Sequence, residues 1–431
     1  MTKATNLNVN VHHLTRVEGH GDIVVDVQNG EIKKCQFEVV EAPRFFEAFV
    51  RGRPYTEVNH ITSRICGICS VGHSTTSVEA TEKALGVELT EQARLLRKLI
   101  FHGEIMDSHI LHTYYLVAPD FLGIDDVVPL LEMNPDVLMR ALRMKKLAGD
   151  LCAMIGGRHT HPCALVVGGF TYTPKEQELQ DMKARLEEAR ADVDETVALF
   201  SSLPWPEFAR ETEYVSLRKE DEYAFVGGEI VTSDGFAYAI EDYKKVTNEW
   251  CVPFSTAKWA KHNRESYMVG ALARFNNNYE QLHESAKEAA KKLGLEPVSY
   301  NTFLNSAAQV VEIVHCLEDS IAIIDELLTR GITLEDPTPV ARTSGEGVGS
   351  CDVPRGILFH HYVYEDGVCQ EANCIIPTNQ NWANVNADLK AFLPQILDKP
   401  ENEIRHLLEM LVRAYDPCIS CSAHTLKVEL V

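Results

Sequence analysis

Apolar and polar residues alternate through "DIVVDVQNGEIKKCQFEVV" (22–40), on both sides of Asn29-Gly30. An Asn-Gly pair accepts the positive φ angles of a tight two-residue turn, so this stretch predicts a β-hairpin. From about Thr90 to Val117 the period changes. Leu95, Leu99, His102, Met106, Ile110 and Tyr114 recur at three and four, which predicts one long helix. Its second half, "HILHTYYLV", has no polar face and is expected to be buried. A charge-rich surface helix is predicted over 175–202, after Pro174, and others over roughly 278–293, 302–330 and 401–415, the last stopped with the help of Pro417. Between them, "DPTPVARTSGEGVGSCDVPRGILFHHYVYEDG" (336–367) is rich in Gly and Pro and then strand-like. No repeat or low-complexity linker interrupts the chain. The expected class is mainly α with small β-sheets (α+β), a bundle of long helices with an N-terminal β region over about residues 1–60.

Composition narrows the function. The chain has 431 residues, 45% of them apolar, an ordinary globular balance. Its 63 acidic residues against 41 basic ones give a net charge of −22, a surface that repels phosphate backbones and argues against nucleic-acid binding. No apolar run approaches the ~18 residues needed to span a bilayer. The opening "MTKATNLNVNVHHLTRVEGH" lacks the apolar core of a signal peptide, so a cytoplasmic location is expected. In that compartment the 12 cysteines read as thiols or metal ligands before disulfides.

Two of the cysteine pairs share a spacing. Cys66 and Cys69 lie in "RICGICSVGH" (64–73), at the start of a predicted helix whose free amides favour thiolates. Cys418 and Cys421 lie in "DPCISCSAH" (416–424). A separation of about 350 residues is no obstacle to their meeting, because loop-closure entropy grows only logarithmically with length. If they meet, residues 1–431 form one interlocked unit. Four such thiolates suit a structural zinc, although zinc ribbons keep their pairs ~15–20 residues apart. Two independent redox pairs, or a catalytic zinc, iron or nickel held by soft ligands, are the other readings. Asp107 shares a helical stripe with Ile100, Gly103, Ile110 and Tyr114, so its carboxylate is expected to face apolar surroundings and to need a partner. Glu18 stands between Arg16 and His20, where a solvated local ion pair is the plain reading. His73, one helical turn after Cys69, is placed either to pack or to donate to that sulfur.

"RICGIC…H" and "DPC..C..H" resemble the two signature motifs of the nickel–iron hydrogenase large subunit. "TRVEGH" (15–20), "RFFE" (44–47), "MDSHILH" (106–112), "HTHPCALVVGG" (159–169), "PRGILFHH" (354–361) and "IIPTNQNW" (375–382) extend the resemblance in order along the whole chain. It implies a catalytic subunit that splits and forms hydrogen heterolytically. All four cysteines would hold nickel, Cys66 and Cys418 as terminal ligands. Cys69 and Cys421 would bridge to an iron carrying carbon monoxide and cyanide. Cys418 would be the first proton acceptor and Glu18 the next. Arg355, beside Pro354, would hang over the open metal position and bond a cyanide, grouped with Asp107 and Asp416. Thr378, after Pro377, would serve the second diatomic ligand, although the following "NQN" departs from the commoner pattern. His73 would donate to Cys69. Glu47, the carbonyl of Cys374 and His424 would hold a magnesium-like ion. Maturation in that family usually cuts after the last motif's histidine, here ahead of residues 425–431; retention of this tail is the expectation.

The chain carries no Cys-rich ferredoxin run, no GxGxxG after a strand and no flavin motif. The resemblance therefore implies a separate small subunit with iron–sulfur clusters, and further subunits for acceptors such as nicotinamide, flavin or ferredoxin. Its compact length and leader-free start resemble the soluble, cytoplasmic, bidirectional hydrogenases. Two other readings stand beside this one: a non-catalytic hydrogenase-like subunit of a respiratory-type complex, whose relatives have lost the four thiolates, and a zinc-stapled structural protein.

Overall fold

Asn29 and Gly30 take φ angles of 51° and 79° and close the predicted turn between strands Gly21–Gln28 and Glu31–Val39. The computed structural model describes residues 6–423. Strand Leu7–Val11 pairs with the outer side of Gly21–Gln28, giving a three-stranded antiparallel sheet. Alternation buries Ile23, Val25, Val27, Cys35 and Phe37 on one face. The Phe37 ring stacks on Trp382 at 4.8 Å, which pins this N-terminal sheet to helix Pro377–Ile396 near the other end of the chain.

A second antiparallel sheet, Gly345–Val353, Gly356–Glu365 and Val368–Ile375, carries helix Ser70–Leu85 across its face. The approach is backbone to backbone. A Cβ on Gly347 or Gly349 would stand 2.3 Å from the carbonyl oxygens of Ala80 or Thr76, so only glycine fits.

The long helix begins at Glu91, where the Thr90 side chain accepts from the amide of Ala93. It runs to Ile110 and then widens into π turns over Leu111–Val117, with the Thr113 hydroxyl donating to the His109 carbonyl. It packs between helices Pro135–Gly156 and Asn305–Arg330. The 175–202 segment divides at Ala189 into Glu176–Glu188 and Arg190–Ser201. The helix expected over 278–293 is two shorter ones, Ala271–Asn278 and Glu284–Lys292, the second capped by His283. Helices Pro135–Gly156 and Pro377–Ile396 have no counterpart in the periodicity reading. The latter buries Asn379, Gln380, Asn381, Asn384, Asn386 and Asp388 beside its apolar residues, so no polar face marks it.

The chain's two ends meet. The Ile419 amide donates to the Glu18 carbonyl at 2.9 Å, and the Arg44 amide to the Ala423 carbonyl at 2.9 Å. The Arg44 guanidinium also bonds the carbonyls of Ser420 and Ile65, tying both cysteine-pair loops to one side chain. Among the described residues no helix is long and apolar enough to cross a membrane.

Candidate metal centre

Cys66 follows the short turn Ser63–Ile65, and Cys69 sits at the N-cap of helix Ser70–Leu85. The free amides of that helix start are taken by Glu104, which accepts from Val71 at 2.6 Å and Gly72 at 2.8 Å. Burial pushes the Glu104 carboxyl well above the usual range despite those two bonds. Gly72 is required here, since a Cβ would stand 2.4 Å from Val353 and 2.9 Å from the Glu104 carboxyl. Cys418 and Cys421 follow helix Glu401–Ala414 after a turn in which Asp416 takes φ 52°.

The two pairs converge. The Cys66 and Cys418 sulfurs are 3.5 Å apart, those of Cys418 and Cys421 2.7 Å, and the Cys69 amide donates to the Cys66 sulfur at 3.2 Å. All four cysteines are buried and none forms a disulfide. The sulfurs of Cys66, Cys418 and Cys421 lie within 4.8 Å of one another. Metal–thiolate bonds of ~2.3 Å bring sulfurs that share one ion into this range of separation, so these three sulfurs are close enough to share one soft metal. The four thiols hold their protons unequally. Hydrogen bonds from Cys418, Cys421 and Cys69 hold Cys66 well below the usual thiol range. Cys69 is pushed up, first by giving its proton's bond to Cys66, and Cys418 first by its bond to Cys421. Cys421, though it receives a bond from Cys418, is pushed up by Cys66 and burial. One thiolate among the four is favoured by its neighbours' hydrogen bonds, and a metal ion held by the sulfurs would favour ionisation of the others.

Arg355 lies over this cluster, 3% exposed. Its Nε donates to the Asp416 carbonyl at 2.8 Å and one NH2 group to the Asp416 carboxylate at 2.7 Å. The other donates to the Cys69 sulfur and the Ser108 hydroxyl, each at 3.2 Å. Asp107 does not join them. Both of its oxygens face Lys145 at 2.8 Å, and its side chain is 25% exposed. Successive helical residues point about 100° apart; the position facing the cluster is Ser108, and Asp107 faces helix Pro135–Gly156.

The Cys418 thiol donates to Glu18 Oε2 at 3.1 Å, and the Ser420 amide donates to the same oxygen at 3.1 Å. The flanking basic residues are engaged elsewhere. Arg16 bonds Asp120 and the Leu116 carbonyl, and His20 bonds Glu41. The local ion-pair reading of Glu18 therefore does not hold. Glu41 also accepts from the Ser420 hydroxyl at 3.0 Å.

A family model described as nickel-dependent hydrogenase matches residues 44–138 and 232–424. The chain belongs to that family. A HoxL-like model matches residues 8–42. Over 98% of the chain and 99% of the relative, it is 33% identical to sulfhydrogenase 1 subunit alpha of Pyrococcus furiosus. It is 32% identical to sulfhydrogenase 2 subunit alpha of the same organism, over 97% of the chain and all of the relative. The structure of an NAD+-reducing NiFe-hydrogenase superposes with a TM-score of 0.87 at 27% identity, covering 98% of this chain and all of that one. The α+β architecture is that of the hydrogenase large subunit, an oxidoreductase acting on hydrogen, and its nickel–iron class displaces the structural-zinc and non-catalytic readings.

Within this hydrogenase chain, the Thr378 hydroxyl oxygen accepts from the Cys418 amide at 3.2 Å, one residue into the helix that begins at Pro377. Pro354 precedes Arg355 in the turn between two strands of the second sheet. His73 Nδ1 lies 3.2 Å from His360 Nε2, and His360 Nδ1 2.6 Å from the Tyr362 hydroxyl, which donates to Ser77. Glu47 accepts from the amide of Cys374 at 2.8 Å. His424 and the tail, residues 425–431, lie outside the described residues. Sequence reasoning missed Ser108, Glu104, Glu41 and Ser420. A 100° step from Asp107 would have found Ser108, and the position two after Cys418 would have found Ser420. Nothing local marks Glu104 or Glu41.

Proposed function

We propose that this chain splits and forms hydrogen reversibly at a nickel–iron centre held by Cys66, Cys69, Cys418 and Cys421. Cys66 and Cys418 would be its terminal ligands, and Cys69 and Cys421 would be shared with an iron that would carry carbon monoxide and cyanide. When bound, the centre supplies the electrophile that polarises hydrogen and takes up its electrons. The chain supplies the rest. Cys418 takes the proton, since a terminal thiolate keeps a free lone pair, and passes it to Glu18. The outward route runs along Ser420, whose amide bonds Glu18 and whose hydroxyl donates to Glu41, and on to His20, which bonds Glu41 and whose side chain is 65% exposed. Arg355, oriented by Asp416 and backed by Pro354, forms a cationic roof that donates towards a cyanide and excludes water. Thr378 keeps its hydroxyl proton free to donate to the second diatomic ligand. His73 steadies Cys69.

The observation that carries this reading is the Cys418–Glu18 bond at a buried four-thiol cluster whose Cys69 is bonded by Arg355. A carboxyl group there is within reach of the thiol proton and can pass it on.

Glu47, the Cys374 carbonyl and His424 hold a magnesium-like ion in this reading; the Glu47–Cys374 contact supports only their proximity. The chain works as one interlocked unit in the cytoplasm. It hands electrons to a small iron–sulfur subunit and through it to nicotinamide, flavin or ferredoxin subunits. The relatives' designation as alpha subunits supports such a complex. Metal analysis with an infrared spectrum of the purified complex tests the reading. Nickel and iron with diatomic stretching bands are expected, and zinc alone would overturn it.

A further inference from the structure

Helix Asn305–Arg330 carries a stripe of buried polar residues that no sequence motif marks. Asn305, Gln309 and Glu312, spaced four and three apart, are 3%, 1% and 0% exposed. Buried amides and carboxylates are costly unless every polar atom is bonded. Each member is bonded to a group one step from the Arg355–Asp416 pair. Asn305 donates to the Ala414 carbonyl at 2.8 Å, fixing the approach to Asp416. Gln309 Nε2 donates to Asp416 Oδ2 at 3.0 Å, while Asp416 Oδ1 receives Arg355. Glu312 takes two bonds from Arg274, at 2.7 Å each, and Arg274 donates to the carbonyls of Val353 at 2.9 Å and Pro354 at 3.1 Å.

The amide of Gln309 is itself held. Its oxygen faces His112 Nδ1 at 2.5 Å, and His112 Nε2 lies 2.8 Å from the Arg413 carbonyl. The Arg413 carbonyl and the Gln309 amide oxygen both only accept, so both ring nitrogens donate. With the amide oxygen towards His112, its NH2 is left to donate to Asp416; reversed, two acceptors would meet.

We propose that Gln309 is a positioning residue for hydrogen turnover. It fixes the second oxygen of Asp416, so that the first is presented to Arg355, while Glu312 and Arg274 hold the backbone from which Arg355 springs. This rests on the function proposed above, with Arg355 over the centre.

The test uses the assembled complex and Gln309→Met, which keeps length and removes the donor. Nickel and iron content should stay at wild-type levels and the diatomic infrared bands should shift. Turnover should fall about tenfold, the scale of a lost buried hydrogen bond to a charge, with the KM for a dye acceptor unchanged. Combined with Arg355→Lys, Gln309→Met should add little further loss, because both act through one pair. Unshifted bands with turnover within twofold of wild type, or fully additive losses, would overturn the proposal. Should Gln309→Met fail to take up metal, Glu312→Gln, which keeps the shape and only one of the two acceptor oxygens that hold Arg274, decides by the same readouts. Failure of both variants to load metal would assign the stripe to folding and overturn the proposal. Failure of the functional reading would instead show in the wild type, as missing nickel or missing diatomic bands.

Discussion

The Cys418 thiol meets the Glu18 carboxylate at 3.1 Å, and the same two residues pair through their backbones as neighbouring parallel strands do. The contact therefore depends on main-chain geometry as well as on side-chain rotamers. Gly19, at φ 89°, makes this possible, since a Cβ there would stand 2.8 Å from Ile419, Ser420 and the Glu41 carboxyl.

Glu18→Gln keeps the acceptor for the Ser420 amide but cannot shuttle a proton. The metal content should be normal, while hydrogen turnover and hydrogen–deuterium exchange with water fall by about 100-fold or more. Near-normal exchange in the fully metallated variant would send the proton elsewhere.

Farther out, His20→Ala should slow the same exchange severalfold without altering metal content. Added imidazole should restore it, because a diffusible base replaces the missing ring. No response to imidazole would remove His20 from the route.

Cys418→Ala should fold and yet retain little nickel, having lost one ligand and the proposed base together. Nickel analysis after gel filtration measures this. A wild-type nickel content with undiminished hydrogen oxidation would reject the ligand assignment.

Asp107 and Ser108 separate two meanings of one helix face. Asp107→Asn breaks only a part-exposed pair with Lys145, so stability should change by less than ~1 kcal/mol and turnover by less than twofold. Ser108→Ala takes a bond from Arg355 and should lower turnover severalfold at unchanged metal content. The reverse ranking of the two variants would restore Asp107 to the site.

What could be read from the chain followed the reach of each signal. The Asn29-Gly30 turn and the helix start near Thr90 rest on local signals, and both are found where the residues put them. The four cysteines were legible because a paired spacing with a flanking histidine is rare by chance. Asp107 was misassigned because a stripe identifies a face only to within one residue's turn, and the neighbouring helix decided which side was interior. Gln309 and Glu312 were invisible, since their meaning lies in partners at Asp416 and Arg274 that only the tertiary fold brings near.

Acid stability offers a check away from the centre. Burial holds His102 down to about 3, only partly countered by Asp319. A histidine depressed in the folded state stabilises it above the unfolded value near 6.5, and that contribution is lost as pH falls towards 3. Between pH 7 and pH 5 it should cost about 1–2 kcal/mol. His102→Leu should narrow the gap between urea midpoints at those two pH values. An unchanged gap would mean the ring is protonated, or solvated, in the native state.

Cys66 and Cys418 are 352 positions apart. At about 5–20 residues per second, synthesis makes the first pair roughly 20–70 s before the second exists. During that interval Cys66 and Cys69 offer two thiols, with neither Glu18's partner loop nor the Asp416 side of the Arg355 roof yet made. A soft ion captured then would find half a coordination sphere and open water. A centre that draws on both pairs can be completed only once the second pair has been made.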